Sequence, residues 1–370
     1  MDNKNFQTFF DCGSSKVRAA TFKKNNRSET FQAESKFLID HSNLNFEIQK
    51  IITSFEKDTN EYIDNISLMI DSSKMLSIGI SISKKFDGSE LKQTNVKFLI
   101  QETKQQILEN YTNYNIAHII INNYKIDGVD YSYLPDEIEC HFISLDILFI
   151  CLPSNTILYF KDVFSKSNIL IDQIICSSYA RSINYIDNLN LNGYILFIDV
   201  GFNKTSVISC FDDKVFSLDI LPVGGNHITK DISKILDIDL IQAEKIKLNF
   251  FQNPESLESK NFSVNTLEKI ICTRTEEIIE LCTQSVKLNS ITLGQCKIFL
   301  MGESSKSLHN QHNKSNVSFS KNIDFLEETL HDICESGLKY GMHLNKQEVV
   351  MVPKKQIKQG FFEKLFHFFR

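Results

Sequence analysis

The stretch YILFIDVGFNKTSVISCF, residues 194–211, decides the architecture. It opens on an apolar run rich in β-branched and aromatic residues, the composition of a buried strand. Asp199-Val200-Gly201 ends that run in a turn, and a second strand follows. Near the start of the chain, QTFFDCGSSKVRAATF (7–22) reads the same way: apolar strand, Asp11-Cys12-Gly13 turn, second alternating strand. The two aspartates lie 188 residues apart, about half of the 370-residue chain. Such spacing predicts an internal duplication of one α/β unit.

Outward from these turns the pattern is mixed. Residues 44–58 and 95–113 read as helices, and ISLMIDSS (66–73) and IAHIIIN (116–122) as strands. The longest apolar run, HFISLDILFICLP (141–153), is interrupted by Asp146 and suits a buried strand better than a membrane span. Helices are expected at 154–167 and 176–188, flanking the strand ILIDQII (169–175). After the second turn, PVGGNHITKDISKIL (222–236) begins a helix at Gly-Gly, with Asp231 placed in its first turn, where the helix dipole favours an acid. A long helix over 266–288 and the strand CKIFLMG (296–302) follow. Residues 252–265 and 303–322, rich in Asn, Ser and Lys, read as solvated loops.

Composition excludes several classes. Hydrophobic residues make up 42% and charged residues 23%, ordinary globular proportions that rule out a disordered chain. Forty basic residues against 46 acidic give a net charge of −6, which argues against a nucleic-acid partner held by a basic surface. Nine cysteines with no C-x-x-C pair read as reduced thiols of a cytosolic protein. The start, MDNKNFQTFF, has no basic region followed by an apolar stretch, so no signal peptide is expected. No window of about 18 residues is free of charge.

A tight Asp-x-Gly-[Ser/Thr] turn between strands has a chemical use. Glycine lets backbone approach a polyphosphate closely, and consecutive amides with hydroxyls such as Ser14 and Ser15 donate to its oxygens. The aspartate can orient Mg²⁺ through its water shell, and Lys16 would add a compact positive charge. One such turn alone is equally well a hairpin with an Asx-type bend. Two turns, a Gly-Gly helix start and a strand ending in Gly302 follow the order of the actin-like ATPase fold.

The resemblance is closer still. DCGSSKV (11–17), DVGFNKTSV (199–207), LPVGGNHITKDI (221–232), AEKIK (243–247), R-x-E-E-I (274–278) and FLMGESS (299–305) resemble the successive motifs of the FtsA family. That family consists of actin-like division proteins that tether the tubulin-like FtsZ to the bacterial membrane. PVGG-x-H-x-T resembles the alphaproteobacterial form, and HIIINNYKIDG (118–128) is similar to a further family segment. The resemblance implies phosphate loop 1 at Asp11, Gly13, Ser14, Ser15 and Lys16, and phosphate loop 2 at Asp199, Gly201, Lys204 and Thr205. It implies Gly224 and Gly225 facing the phosphates, Glu244 and Lys247 approaching ribose and base, and Gly302 beneath the adenosine. ATP and Mg²⁺ are the implied cofactors, with Asp11 and Asp199 acting on the metal through water. Two departures add side chains where backbone would meet ligand. Phe202 and Asn203 replace glycines of the second loop, and Glu303 follows Gly302 in place of a glycine. No residue stands out as a base positioning water, so weak or absent ATPase activity is expected.

The same resemblance implies an α/β body of duplicated subdomains around a nucleotide cleft. Subdomain 1A would comprise 1–74, 151–190 and 333–351, with the family-specific 1C at 75–150. Subdomain 2A would comprise 191–228 and 296–332, with 2B at 229–295. It further implies self-association into filaments, recruitment of later divisome proteins, and an FtsZ C-terminal peptide received on 2B, where Arg274 matches the family's helix arginine. Arg274 is equally compatible with a simple surface ion pair.

The last block, VPKKQIKQGFFEKLFHFFR (352–370), changes character. As a helix at about 100° per residue, Ile357, Phe361, Phe362, Leu365, Phe366, Phe368 and Phe369 occupy one half of the cylinder. Such a helix can pack on its own domain. Basic flanks with bulky aromatics instead describe an interfacial helix on anionic inner-membrane lipid, and the FtsA resemblance implies the same. A terminal membrane helix also argues against the closest rival, a PilM-like actin-fold ATPase of a pilus or secretion platform. A sugar or acetate kinase would gain nothing from it, and an Hsp70-type chaperone would need a peptide-binding domain after residue 350.

Overall fold

The computed structural model describes residues 5–38, 43–252, 263–286, 296–306 and 323–342. The proposed membrane helix and most of the two polar stretches lie outside the described residues. In chain order the elements begin with β1 (Phe6–Cys12), β2 (Val17–Lys23), β3 (Asn26–Glu34), α1 (Leu44–Thr59), β4 (Asn65–Met69), β5 (Leu76–Lys85) and α2 (Gln93–Asn110). They continue through β6 (Tyr114–Ile126), β7 (Val129–Tyr131), β8 (Phe142–Pro153), α3 (Ser154–Ser165), β9 (Leu170–Ile175) and α4 (Ser177–Leu189). The second half comprises β10 (Tyr194–Val200), β11 (Thr205–Phe211), β12 (Lys214–Leu221), α5 (Gly225–Leu236), α6 (Leu240–Gln252) and α7 (Val264–Ser285). It closes with β13 (Lys297–Met301), β14 (Ile323–Phe325) and α8 (Leu330–Met342).

Two five-stranded sheets repeat one topology. The first runs β3-β2-β1-β4-β9 and the second β12-β11-β10-β13-β14. In each, the first three strands are antiparallel neighbours and the last two join in parallel. The register matches as well. Cys12 pairs with Val17 across the first turn and Val200 with Thr205 across the second. The chain is therefore a duplicated α/β unit, and Lys16 and Lys204 occupy equivalent positions just before the return strand.

Burial explains the elements. In α1, Leu44, Ile48, Ile51, Ile52 and Phe55 recur at helical spacing and are buried, and Asn60 ends the helix in the left-handed conformation that Asn tolerates. The largest core spans both sheets, joining Phe9, Phe10 and Met69 of the first to Phe197, Phe299 and Met301 of the second. Each fully buried side chain of this size contributes about 1.5–3 kcal/mol, so the shared core ties the two halves together. A third sheet, β5-β8-β6-β7, closes over α2 with a core of its own. Its central strand β8 is the long apolar run, buried nearly throughout because it has a partner on each side. A small core of α5, α6 and α7 centres on Ile228, Ile232, Ile246, Leu267 and Ile271.

His118 on β6 is buried and fastens three segments. Its Nε2 accepts the Cys176 amide at 2.8 Å, and its Nδ1 lies 2.9 Å from the Tyr340 hydroxyl on α8. All nine cysteines are free thiols, eight of them buried. Among the described residues, no helix is long and apolar enough to cross a membrane.

Candidate functional site

The duplicated turns face each other across a cleft of about 630 Å³ between the two halves. Loop 1 (11–16) forms its wall on the first half, and loop 2 (199–204) on the second. In both loops a β-carbon on the glycine, Gly13 or Gly201, would stand 3.1 Å from the carbonyl of the lysine three residues on, so the repeated turn is equally tight in each. Of the residues expected at the site, Asp11, Gly13, Ser14, Ser15, Lys16, Asp199, Gly201, Lys204, Gly225, Glu244, Lys247 and Gly302 line this one cleft.

Thr205 and Gly224 stand behind it instead. The buried Thr205 hydroxyl donates to the Val223 carbonyl at 2.8 Å. Gly224 packs so closely on loop 2 that a β-carbon there would meet the Gly201 carbonyl at 2.5 Å and that of Phe202 at 2.8 Å. The first amides of α5 are spent on the same loop, Gly225 donating to Gly201 at 3.0 Å and Asn226 to Phe202 at 2.7 Å. The Gly-Gly turn thus clamps loop 2 in place. Its amides do not point free into the cleft. Asp231, expected in the first turn of this helix, sits in the second, because the helix starts at Gly225; it meets Arg274 there.

Gly302 requires glycine. Its φ is +88°, and a β-carbon would fall 2.4 Å from Asp199 Oδ1 and 2.7 Å from the Val200 carbonyl. Beside it Lys247 is held at 2.7 Å by Glu244 and donates to the Gly225 carbonyl at 3.0 Å. Burial, only partly offset by Glu244, brings its pKa below the ordinary lysine value. The Phe202 ring, new to loop 2, lies under the Lys247 ammonium and meets Phe37 of the first half edge to face at 5.3 Å.

Sequence reasoning missed several of the charged residues that line the cleft. Lys204 is buried against Asp71, at 2.8 Å, just after β4. Burial works to raise the Asp71 carboxyl, but Lys204 and hydrogen bonds outweigh it and hold the pKa at about 2. Arg181 on α4 bridges Asp199 and Glu328, the latter at 2.7 Å, with all three side chains buried. Burial opposes its charge, yet the two acids raise its pKa above the usual arginine value. Arg18, directly across from Asp11 in the β1–β2 register, reaches Asp11 at 3.4 Å, Glu34 at 3.2 Å and Glu303 at 2.5 Å. Ser177 donates to the other Asp11 oxygen at 2.7 Å. The strand position of Arg18 was a usable signal, since it follows the first turn at the place Ser206 takes after the second. Asp71, Arg181 and Glu328 lie on separate segments that only the fold brings together.

This arrangement fits a polyphosphate with its metal. Lys16, Arg18 and Lys204 offer cations, and Asp11, Asp71 and Asp199 offer carboxylates. Glu328 Oε1 and Arg181 Nε, at the cleft wall, are buried atoms without a hydrogen-bond partner in the protein, an acceptor and a donor that a ligand or its water could use. Among the described residues, three donors close enough to hold a metal directly occur only at His331, Asp332 and Glu335 on α8. Asp11 and Asp199 do not belong to such a group.

Residues 196–324 match the family model described as cell division protein FtsA. Over these residues the chain is similar to the FtsA family. Cell division protein FtsA of Borreliella burgdorferi is 22% identical over 218 residues, which is 54% of this chain and 52% of that relative. This alignment thus spans about half of the relative's own length. FtsA of Buchnera aphidicola subsp. Acyrthosiphon pisum is 21% identical over 351 residues, covering 83% of this chain and 82% of the relative. Among solved structures, the PilM–PilN type IV pilus biogenesis complex matches 91% of this chain and 96% of its own chain, with a TM-score of 0.61 at 12% identity. The fold is the actin-like ATPase fold, as the FtsA motifs predict.

Arg274 lies on α7, away from the cleft. Its Nε and Nη2 make a fork on Asp231 of α5 at 2.7 and 3.1 Å, and Nη1 meets Glu277 at 2.5 Å. This fork joins two helices of the α5–α7 core. The seven residues proposed to meet lipid, from Ile357 to Phe369, lie outside the described residues.

Proposed function

We propose that this chain is an ATP-binding adaptor of the division machinery that tethers FtsZ filaments to the inner face of the cytoplasmic membrane and helps recruit later divisome proteins. The observation that carries the reading is the convergence of two equivalent Asp-x-Gly-x-x-Lys turns on one cleft in an FtsA-family chain. Mg²⁺ when bound would neutralise the nucleotide's phosphates. Loop 1 would hold those phosphates through Ser14, Ser15 and Lys16, and loop 2 through Gly201 and Lys204. Glu244 and Lys247 would border ribose and base, and Gly302 would lie under the adenosine. Asp11 and Asp199 would orient the metal's water. The α5–α7 unit, part of the proposed 2B at 229–295, would receive the FtsZ C-terminal peptide. The third sheet would be the proposed 1C at 75–150, meeting neighbouring copies in a filament.

Loop 1 is tested with Lys16→Ala. Lys16 is partly exposed, and its ion pairs among the described residues are with the half-exposed Glu34 and Glu303, pairs that contribute about 0–1 kcal/mol. The variant should stay folded and bind Mg·ATP about tenfold more weakly, the worth of one lost charge-assisted contact. Equal affinities in calorimetry would remove loop 1 from the site.

The peptide site is tested at Arg274. An acidic peptide would have to share this cation with Asp231, so Arg274→Ala should weaken FtsZ tail binding about tenfold or more. Asp231→Asn, which releases the cation, should strengthen it. If neither variant changes peptide affinity, the contact lies elsewhere on the proposed 2B.

The likeness to PilM favours a second reading, an actin-fold ATPase of a pilus or secretion platform brought to the membrane by a partner's peptide. Liposome co-sedimentation of the full chain beside one stopped at Val352, with and without FtsZ, separates the two. Lipid binding that needs residues 353–370 supports the adaptor.

A further inference from the structure

We propose that Glu303 is a built-in competitor for the nucleotide's phosphates, occupying from across the cleft the cations of loop 1 that a polyphosphate would use. This rests on the nucleotide reading above. Glu303 follows β13 in the second half, whereas Lys16 closes the β1–β2 turn of the first and Arg18 lies just beyond it on β2. One oxygen, Oε1, serves both cations, lying 3.1 Å from Lys16 Nζ and 2.5 Å from Arg18 Nη2. Its carboxylate therefore does what a phosphate oxygen would do there, and links the two halves in doing so.

Five ion pairs among the described residues cross the cleft at this site, Lys16 and Arg18 with Glu303, Lys204 with Asp71, and Arg181 with Asp199 and Glu328, and they differ in how readily they exchange. Lys204–Asp71 and Arg181–Asp199 are buried, and breaking either leaves a charge with no water. Glu303 is different: its side chain is 47% exposed at the cleft mouth. A solvent-open pair is cheap to exchange for another anion. Glu34 also reaches both cations, but from β3 of their own half, so it holds them in position without bridging. The two cations pull the Glu303 carboxyl below its ordinary pKa despite its partial burial, keeping it charged across the neutral range. Phosphate arrival and Glu303 departure are thus one exchange. The carboxylate lowers phosphate affinity twice, by occupying the cations and by repelling the incoming charge, and it leaves the adenosine end alone.

The test is calorimetry on the full chain and on Glu303→Gln, titrated with Mg·ATP and with adenosine, thermal unfolding confirming that the variant is folded. Glu303→Gln should bind Mg·ATP about tenfold more tightly, as expected on removing a carboxylate that both occupies and repels, with adenosine affinity unchanged. Glu303→Asp, one methylene shorter and still charged, should give a smaller gain. Equal Mg·ATP affinity in wild type and Glu303→Gln would overturn the competition and leave the nucleotide site standing. Weaker binding by Glu303→Gln would overturn it too, making Glu303 part of the ligand's own shell. An equal gain for adenosine would assign the effect to the shape of the adenosine loop. If no protein binds Mg·ATP or adenosine, the nucleotide reading itself fails and this inference with it.

Discussion

Replacing Arg181 by methionine should cost the folded state about 3–5 kcal/mol, the penalty of leaving buried charge without its partner. Methionine keeps the apolar stem but leaves Glu328 without its cation and Asp199 with only the more distant Lys204, 3.9 Å away. Burial and Asp199 already raise the Glu328 pKa above its open-chain value of 4.5, with Arg181 holding it down. In the variant that pKa should rise further. A carboxyl whose folded pKa is raised stabilises when protonated, so the deficit should shrink as pH falls through the raised value towards 4.5 and persist at neutral pH. Denaturant unfolding across that range gives both numbers. Adding Glu328→Gln should recover part of the loss, since the second change removes one of the two stranded charges. A deficit under about 1 kcal/mol at pH 7 would mean that water reaches this triad and that the cleft is more open than described.

Replacing Phe361 and Phe368 together by glutamate should abolish liposome binding while leaving the body folded. Phe361, Leu365, Phe368 and Phe369 recur at i, i+4, i+7 and i+8, so as a helix they would enter the acyl boundary on one face. Each large apolar side chain contributes ~1.5–3 kcal/mol when fully buried, and a charge in its place costs kilocalories to bury. Recruitment of FtsZ to lipid should be lost with membrane binding. Neutralising Lys354 and Lys355 should weaken binding only moderately, and chiefly on anionic lipid at low salt. Unfolding of the double variant would place the helix on its own domain. Continued co-sedimentation with liposomes would put the membrane contact elsewhere.

The sequence by itself determined the repeat. Strand, turn and return strand are local structures, written in apolar runs broken by Asp-x-Gly, and their recurrence at half length required the duplicated sheets that the register displays. Helix and strand positions such as α1, β8, α4 and α7 were likewise legible, because periodic burial is imprinted residue by residue. Most residues of the two turns that line the cleft were readable as well, each belonging to a short contiguous motif.

What only the tertiary structure decided is where the charges go. Asp71, Arg181 and Glu328 carry no local signature, and the pairs Asp71–Lys204 and Arg181–Glu328 join chain segments more than a hundred residues apart. Gly224 reads as a phosphate contact in sequence, yet close packing on loop 2 makes it a spacer. Arg274 reads equally as a peptide contact or an ion pair, and the fold supplies Asp231 of α5 as its partner. Glu303 reads as the start of a solvated loop, yet it crosses the cleft to Lys16 and Arg18. The physical reason is common to the charged residues. Backbone pattern is set by near neighbours, whereas a charged side chain settles wherever the fold supplies its counter-charge, and that place is fixed only when the halves meet.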